Sequence, residues 1–504
     1  MSRRRLVVIT AGLMLSLFMS STESTIVATA MPTIVAQLGG FSAYSWVFSA
    51  FMLASTTTVP IFGKLSDLYG RRPVYVVAML LFLVGSLLCG LAQSMTQLII
   101  FRVVQGLGAG GLLPLVFTII GDIFTLEQRA RMQGLFSGVW GVSSIIGPLL
   151  GGFLVDKVSW HWIFYINIVP GLLALALVYM AWSDVPRSKN APRPSVDYWG
   201  ATLLSAAVVV LLLGLFDLGT TTSWLLIGVA VALFVALLLV ERRAKDPILP
   251  LPLFRDRLFA VACMHGVLAG WALFGTTSFV PLFAQAVLGT SATAAGATLT
   301  PQLLAWVFAS IIGSRLLLRF GYRPLALVGM VLLTIGTFLL TRVSVGASQA
   351  SLMFYLGLMG AGMGLSIPAF LIAVQSSVQR SRLGAATSTL QFSRSIGGTL
   401  GVSVMGAMLT IWLNHALLAA GLDPSGVSVQ SLVDPMASSQ ALDAQLRVAL
   451  AGAMQGVFLV ALVGAALGLV ATFFAPRGMI TQAPSEPDQQ NAKQPAASVS
   501  EMHS

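Results

Sequence analysis

The sequence predicts an all-α polytopic membrane protein with 14 transmembrane helices, and three observations point there. Of 504 residues, 57% are hydrophobic and only 9% are charged, against roughly a quarter charged in soluble domains. Apolar runs close to the length a crossing helix needs, about 20 residues, recur from end to end. These runs, such as YVVAMLLFLVGSLLCGLA from Tyr75, are continuous. A β-barrel would instead show segments of roughly ten residues with alternating polarity.

The first run, near 6–31, follows Arg3, Arg4 and Arg5 and contains Glu23. Its charged start, apolar middle and Ala28-Thr29-Ala30 also fit a cleaved signal peptide, so these residues alone leave open whether the segment is removed or spans. Runs near 44–65 and 73–93 flank the turn GKLSDLYGRRP, residues 63–73. The next three, near 96–121, 132–155 and 161–182, contain Arg102 and the small-residue face Gly147, Pro148, Gly151 and Gly152. Small residues allow close helix packing in a membrane, and a proline permits bending. Runs near 198–217 and 222–240 follow, then 258–286, 295–317, 324–341, 350–375, 385–412 and 449–475. Residues 413–448 read as a long connection, of the kind that is functional or disordered. The tail 481–504, rich in Gln, Ser, Pro and Ala, reads as a disordered cytoplasmic segment.

An even number of spans puts both termini on one side. With the N-terminus in the cytoplasm, the outer segments hold only Lys157, Arg342 and Arg447 as basic residues, while the inner ones hold the clusters at 3–5, 71–72, 129–131, 242–245, 315–323 and 380–382. That is a strong positive-inside bias. The net charge of +11 is therefore a topology signal with a weaker role in touching anionic membrane lipids, and nucleic acid is not a partner. Cys89 and Cys263 both sit in apolar runs, which implies neither a disulfide framework nor a metal site. GLGAGG at 106–111 matches a dinucleotide fingerprint but lacks the preceding strand, and neither a phosphate-binding Gly-Lys-Ser/Thr loop nor HExxH occurs. The expectation is a non-enzyme without cofactor, driven by an ion gradient.

The chain repeats itself. GKLSDLYGRRP at 63–73 matches GSRLLLRFGYRP at 313–324, SSIIGPLLGG at 143–152 matches SRSIGGTLGV at 393–402, and GLGAGGLLP at 106–114 matches GAGMGLSIP at 360–368. Two copies of a six-helix unit follow, with two helices inserted between them, an arrangement many secondary transporters share. The expected division is a first bundle at 1–190, two inserted helices with their loops at 191–250, and a second bundle at 251–480. The copies differ in charge: Asp67 and Arg102 face Leu317 and Leu356 in the second copy.

These motifs resemble the major facilitator superfamily, and within it the fourteen-span drug:proton antiporter branch of multidrug exporters. GKLSDLYGRRP resembles the family's loop motif through Gly63, Asp67, Gly70, Arg71 and Arg72, departing at Leu68, where a basic residue is usual. LIIFRVVQGLGAGG resembles the fourth-span motif through Arg102, Gln105 and Gly106. GLFSGVWGVSSIIGPLLGG at 134–152 resembles the antiporter motif, with Ser143 in place of Gly. WHWIFYIN at 160–167 has His161 where Arg is usual, and TESTIVATAMP at 22–32 has Glu23 in place of Asp. Each match is weak alone; five in order at the right spans are specific, and they imply an uncleaved first span.

The resemblance implies roles for these residues. Glu23, about 26 Å along the first helix from Leu6, would bind and release the coupled proton, with Arg102 modulating it; intramembrane charges are costly and usually functional. Gly63, Asp67, Gly70, Arg71 and Arg72 would form a conformational latch, and Ser143, Gly147, Pro148, Gly151 and Gly152 a hinge and leak seal. Trp140, Trp271, Trp306, Phe274 and Phe279 fall well inside spans. With Glu23 and Arg394 they are candidates for an apolar cavity suited to lipophilic cations, although aromatics pack cores far more often. His265 reads as a satisfied polar residue. The expected function is proton-coupled export of amphipathic or cationic drugs by alternating access, as a monomer in the inner (cytoplasmic) membrane. Export of a lipid or siderophore-like metabolite, or a membrane sensor or scaffold that transports nothing, are the alternatives.

Overall fold

The structure, a computed structural model, describes residues 2–38, 44–182, 197–216, 220–244, 246–290, 292–419 and 440–477. Within them there are helices and no strands. Seven helices make the first bundle: α1 (Arg3–Leu38), α2 (Tyr44–Tyr69), α3 (Arg71–Gly90), α4 (Met95–Ile123), α5 (Leu126–Lys157), and the pair α6 (Trp162–Tyr165) and α7 (Ile168–Ala181), which share the sixth crossing. The inserted helices are α8 (Tyr198–Phe216) and α9 (Thr221–Glu241). The second bundle holds α10 (Arg257–Ala286), α11 (Ala292–Ala297) with α12 (Thr300–Phe320), α13 (Tyr322–Leu340), α14 (Gln349–Ser377), α15 (Leu383–Ala419) and α16 (Gln440–Phe473). Helix occurs at all fourteen expected spans. Thirteen segments among the described residues are long and apolar enough to cross a membrane. The exception is α5, whose first turns carry Glu127, Arg129 and Arg131 and whose remainder is rich in glycine.

One expectation holds and one changes. α1 runs unbroken through the stretch that resembles a cleavage site, with Ile26, Val27, Ala30 and Met31 buried in the bundle. The connection expected at 413–448 is shorter, because α15 continues to Ala419 and α16 begins at Gln440. Segments such as ALLA and QALDAQLRVAL are good helix formers, so both helices extend past their apolar windows. Residues 420–439 and 481–504 lie outside the described residues.

The duplication is repeated in the packing. α4 lies on α2 and α3 as α14 lies on α12 and α13, and α1 packs on α5 and α7 as α10 packs on α15 and α16. The crossings match glycine for glycine. A Cβ on Gly108 would overlap the backbone at Ala78 and Phe82, and one on Gly362 the backbone at Gly329 and Leu333. Gly110 and Gly364 do the same against Ser55 of α2 and Trp306 of α12. The turns that begin α3 and α13 also agree: Gly70 has φ 97° and Gly321 φ 78°, a region that favours glycine.

The bundles meet along α2 against α15 and α5 against α12, and α8 touches both α2 and α15. At the end carrying the 63–73 turn, here the basic end, one continuous core joins them, including Tyr75, Phe117, Tyr322 and Phe370. At the opposite end the cores are separate, with Ile26, Met31, Trp160 and Phe164 in one and Phe283, Leu409 and Phe458 in the other.

Because Gly108 and Gly362 occupy equivalent backbone crossings, Gly108→Leu and Gly362→Leu should each destabilise the protein by roughly 1–3 kcal/mol through overpacking. Thermal unfolding in detergent measures this; an unchanged midpoint in either variant would contradict the close crossing.

Candidate functional site

Glu23 of α1 is completely buried, and its carboxylate is met from two other parts of the first bundle. Arg102 of α4 donates through Nη1 to Glu23 Oε1 at 2.5 Å. Asn167, in the break between α6 and α7, donates through Nδ2 to Oε2 at 2.8 Å. Arg102 has further acceptors: Gln105 Oε1 at 2.7 Å and the Val47 carbonyl at 3.2 Å. Its guanidinium also lies 4.1 Å from the centre of the Phe51 ring. Ser86 of α3 closes the cluster, accepting from Gln105 Nε2 and from Asn167 Nδ2, each at 3.1 Å, and donating to the Phe164 carbonyl at 2.9 Å. This uses the one donor and two acceptor positions of a hydroxyl. A Cβ on Gly85 would overlap the Gln105 backbone, so glycine at 85 is what lets α3 approach α4 closely enough for Ser86 to reach Gln105.

A charge buried in low dielectric is tolerated only when paired and hydrogen-bonded. Each of these charges has that support. The family resemblance paired the roles of Glu23 and Arg102; the structure brings them into contact and adds Asn167 and Ser86. Asn167 was visible as a lone amide inside an apolar run, whereas Ser86 carried no signal.

A second polar group occupies the basic end and crosses between the bundles. The Asp67 carboxylate accepts from the first backbone amides of α15, Gly384 N at 2.9 Å and Ala385 N at 2.7 Å. Unpaired amides and the helix dipole make a helix N-terminus a favourable place for an anion. Arg71 pairs with Asp67 at 2.8 Å and Asp122 at 2.9 Å and donates to the Arg380 carbonyl at 2.8 Å. Arg380 pairs with Asp122 at 2.8 Å. Gly63 and Gly384 face each other where α2 crosses α15, and a Cβ on either would overlap the other's carbonyl region. The Arg72 guanidinium lies over the Tyr179 ring, 3.9 Å from its centre. Asp122 and Arg380 were missed in the sequence, because 258 positions separate them and only the bundle contact joins them.

The remaining candidates are dispersed. Ser143 donates to the Phe18 carbonyl at 3.4 Å, joining α5 to α1. Gly147 and Gly151 are buried, Gly152 has open space beside it, and α5 is continuous through Pro148. Trp271 donates to the Val460 carbonyl at 3.1 Å and packs against Gly464 of α16. Phe274 packs on Gly398, Phe279 faces Gly406, and the Trp306 backbone carbonyl approaches Gly364. Trp140 is 40% exposed. Arg394 is half-buried on α15 with no ion pair among the described residues, and the buried His265 ring lies 4.7 Å from that of Phe370. None of these aromatic residues, nor Glu23, lines the 1320 Å³ cavity formed by α1, α5, α7 and α12. Its walls are apolar, with Met14, Phe18, Leu135, Val142 and Ile311 among them, and Glu127, Arg131 and Arg315 stand toward the basic end.

Comparison with known proteins agrees with this architecture. The family model described as Major Facilitator Superfamily matches residues 13–402. The chain is 37% identical to the "Multidrug transporter protein MdtP" of Bacillus subtilis, covering 100% of this chain and 98% of that protein. It is also 37% identical to "Multidrug resistance protein 3" of the same organism, covering 93% and 95%. Among solved structures, the proton:xylose symporter XylE superposes with a TM-score of 0.62 at 14% identity, covering 96% of this chain and 98% of the other; that likeness concerns the fold.

Truncating Arg102 alone strands the Glu23 carboxylate, so Arg102→Leu should cost about 3–5 kcal/mol. The double variant Glu23→Gln, Arg102→Leu should recover most of that loss. Detergent unfolding of the four proteins in this cycle measures the coupling, and strict additivity would contradict the ion pair.

Proposed function

The chain belongs to the major facilitator superfamily, and we propose that it is a proton-coupled antiporter that exports amphipathic or cationic compounds by alternating access. In this proposal the basic end faces the cytoplasm, both termini lie there, and the protein acts as a monomer in the cytoplasmic membrane. The observation that carries it is the sealed Glu23–Arg102–Asn167 cluster, the pairing of a proton-binding group with a built-in replacement for the proton. When Glu23 is ionised, Arg102 and Asn167 hold it. When Glu23 is protonated, Arg102 still has Gln105 Oε1 and the Val47 carbonyl as acceptors. Neither state leaves the guanidinium without a partner, so the proton exchanges within one architecture.

Alternating access needs a closed state at each end. The Asp67–Arg71–Asp122–Arg380 lattice and the continuous core at the basic end support a state closed to the cytoplasm, with Ser143, Gly147, Pro148, Gly151 and Gly152 as the face on which α5 moves and seals. The apolar cavity is suited to the hydrophobic body of a substrate, and Glu127 at its rim to a cationic head. Phe18 lines that cavity and lies five positions, about 7.5 Å of helix, from Glu23, so movement of α1 links the two. The names of two relatives include the word multidrug, which supports a drug substrate. A second proposal, export of a lipid-like molecule, is favoured by the apolar walls of the cavity, where Leu135 and Val142 remain about half exposed.

Uphill export then draws on the proton gradient. Moving one charge through 100 mV supplies about 2.3 kcal/mol, and one pH unit about 1.4 kcal/mol. One proton exchanged for one monovalent cation moves no net charge, so collapsing the pH gradient should stop cation export and collapsing the potential should not. Transport in inverted vesicles under each imposed gradient tests this. In the same vesicles Glu23→Gln should abolish gradient-driven export with the protein still folded, and Glu23→Asp should retain part; full flux in the Gln variant rejects Glu23 as the proton site. Asp67→Asn should shift cysteine accessibility toward the cytoplasm-open state and slow transport without changing substrate affinity. An unaltered accessibility pattern in an active variant would leave the Asp67 lattice a static contact.

A further inference from the structure

The inserted helices bring a second pair of acids together at the basic end. Asp197 stands at the start of α8 and caps it, its Oδ1 accepting from Gly200 N at 2.7 Å. Glu241 is the last residue of α9, and only 2% of it is exposed. Its Oε1 accepts from Ile248 N at 3.2 Å and Leu249 N at 3.3 Å, which folds the proline-containing linker to α10 back over the helix end. Each acid thus spends one oxygen on the backbone. The other oxygen of each, Glu241 Oε2 and Asp197 Oδ2, is buried with no hydrogen-bond partner among the described residues. The two side chains converge on Gly200: a Cβ there would stand 2.9 Å from Glu241 Oε1 and closer still to Asp197 Oδ2. Glu241 Oε1 and Asp197 Oδ2 thus converge on one point, and each acid keeps one buried oxygen with nothing to accept.

Two carboxylates brought to close range in a poorly solvated site repel each other when both are ionised, and a proton on one relieves that repulsion. Among the described residues, charged side chains stand around the pair. Lys64 of α2 pairs with Asp246 of the linker at 3.7 Å, and Arg242, Arg255, Arg382 and Asp67 line the same 590 Å³ cavity. Lys64 lies one helical turn from Asp67 on α2, the helix that contacts α15.

We propose that Glu241 and Asp197 form a second proton-binding site, separate from Glu23, which holds one shared proton and with it fixes the inserted hairpin and its linker against α2. Loss of the proton leaves two like charges in contact and frees the linker. The site does not depend on the transport function proposed above, and its test reads the carboxyl group directly.

Infrared difference spectra of the purified protein, recorded as pH is stepped, should contain a protonated-carboxyl C=O band. That band should vanish in Glu241→Gln and persist in Glu23→Gln. Asp197→Asn removes the neighbouring negative charge and should shift the band's titration midpoint down by about one pH unit. Lys64→Met removes a positive charge and should shift it up. Folding of each variant is checked by its unfolding midpoint. A band that survives in Glu241→Gln, or a midpoint unmoved in both Asp197→Asn and Lys64→Met, overturns the proposal.

Discussion

The carboxylate of Glu23 is enclosed on all sides by helices, where an isolated charge costs several kcal/mol even after relaxation, and much of the first bundle is arranged to offset that cost. Arg102 supplies the opposite charge, Asn167 the remaining donor, and Gln105, Ser86 and the Val47 carbonyl satisfy what is left of the donors. The partners come from α2, α3, α4 and the α6–α7 break, so the cluster forms only when these and α1 are all in place. Glycine at 85 and at 108 sets the α3–α4 distance on which the geometry rests.

The second bundle is an internal control on that arrangement. It has the same crossings, yet Leu356 and Met359 stand where the first has Arg102 and Gln105, and both are fully buried. Gly336 packs against Met359 as Gly85 packs against Gln105. The scaffold therefore packs with apolar residues at these positions. Charges in the first bundle are an addition to the scaffold, and buried charge that stability does not need is charge retained for something else.

The same one-sidedness governs the contact between bundles. Asp67 of α2 reaches the amides of α15, while its counterpart Leu317 of α12 is buried in the common core. The symmetry-related contact of α12 with α5 instead uses the Ser137–Ser310 hydrogen bond of 2.8 Å and the Gly134–Ile311 approach. One crossing is electrostatic and the other is held by packing, so the two respond differently to charge. The inserted hairpin sits on the electrostatic side, where α8 touches α2 and α15.

Apolar run length, the absence of strand periodicity and the repeated glycine turns determined the helix count, the duplication and the family resemblance, because these are local or periodic properties that a bilayer enforces on any chain. The residue types at Glu23 and Arg102 announced themselves, since an intramembrane charge is conspicuous wherever it points. Their contact, the share taken by Asn167 and Ser86, and the Asp122–Arg380 bridge were decided by tertiary structure alone, because they join positions far apart in the chain through helix rotations that composition does not encode. The aromatic residues Trp271, Phe274, Phe279 and Trp306 show the converse. Their depth was legible, but which helix face each presents was not; the Trp271, Phe274 and Phe279 side chains pack against glycine in the second bundle, and none of the four lines the large cavity.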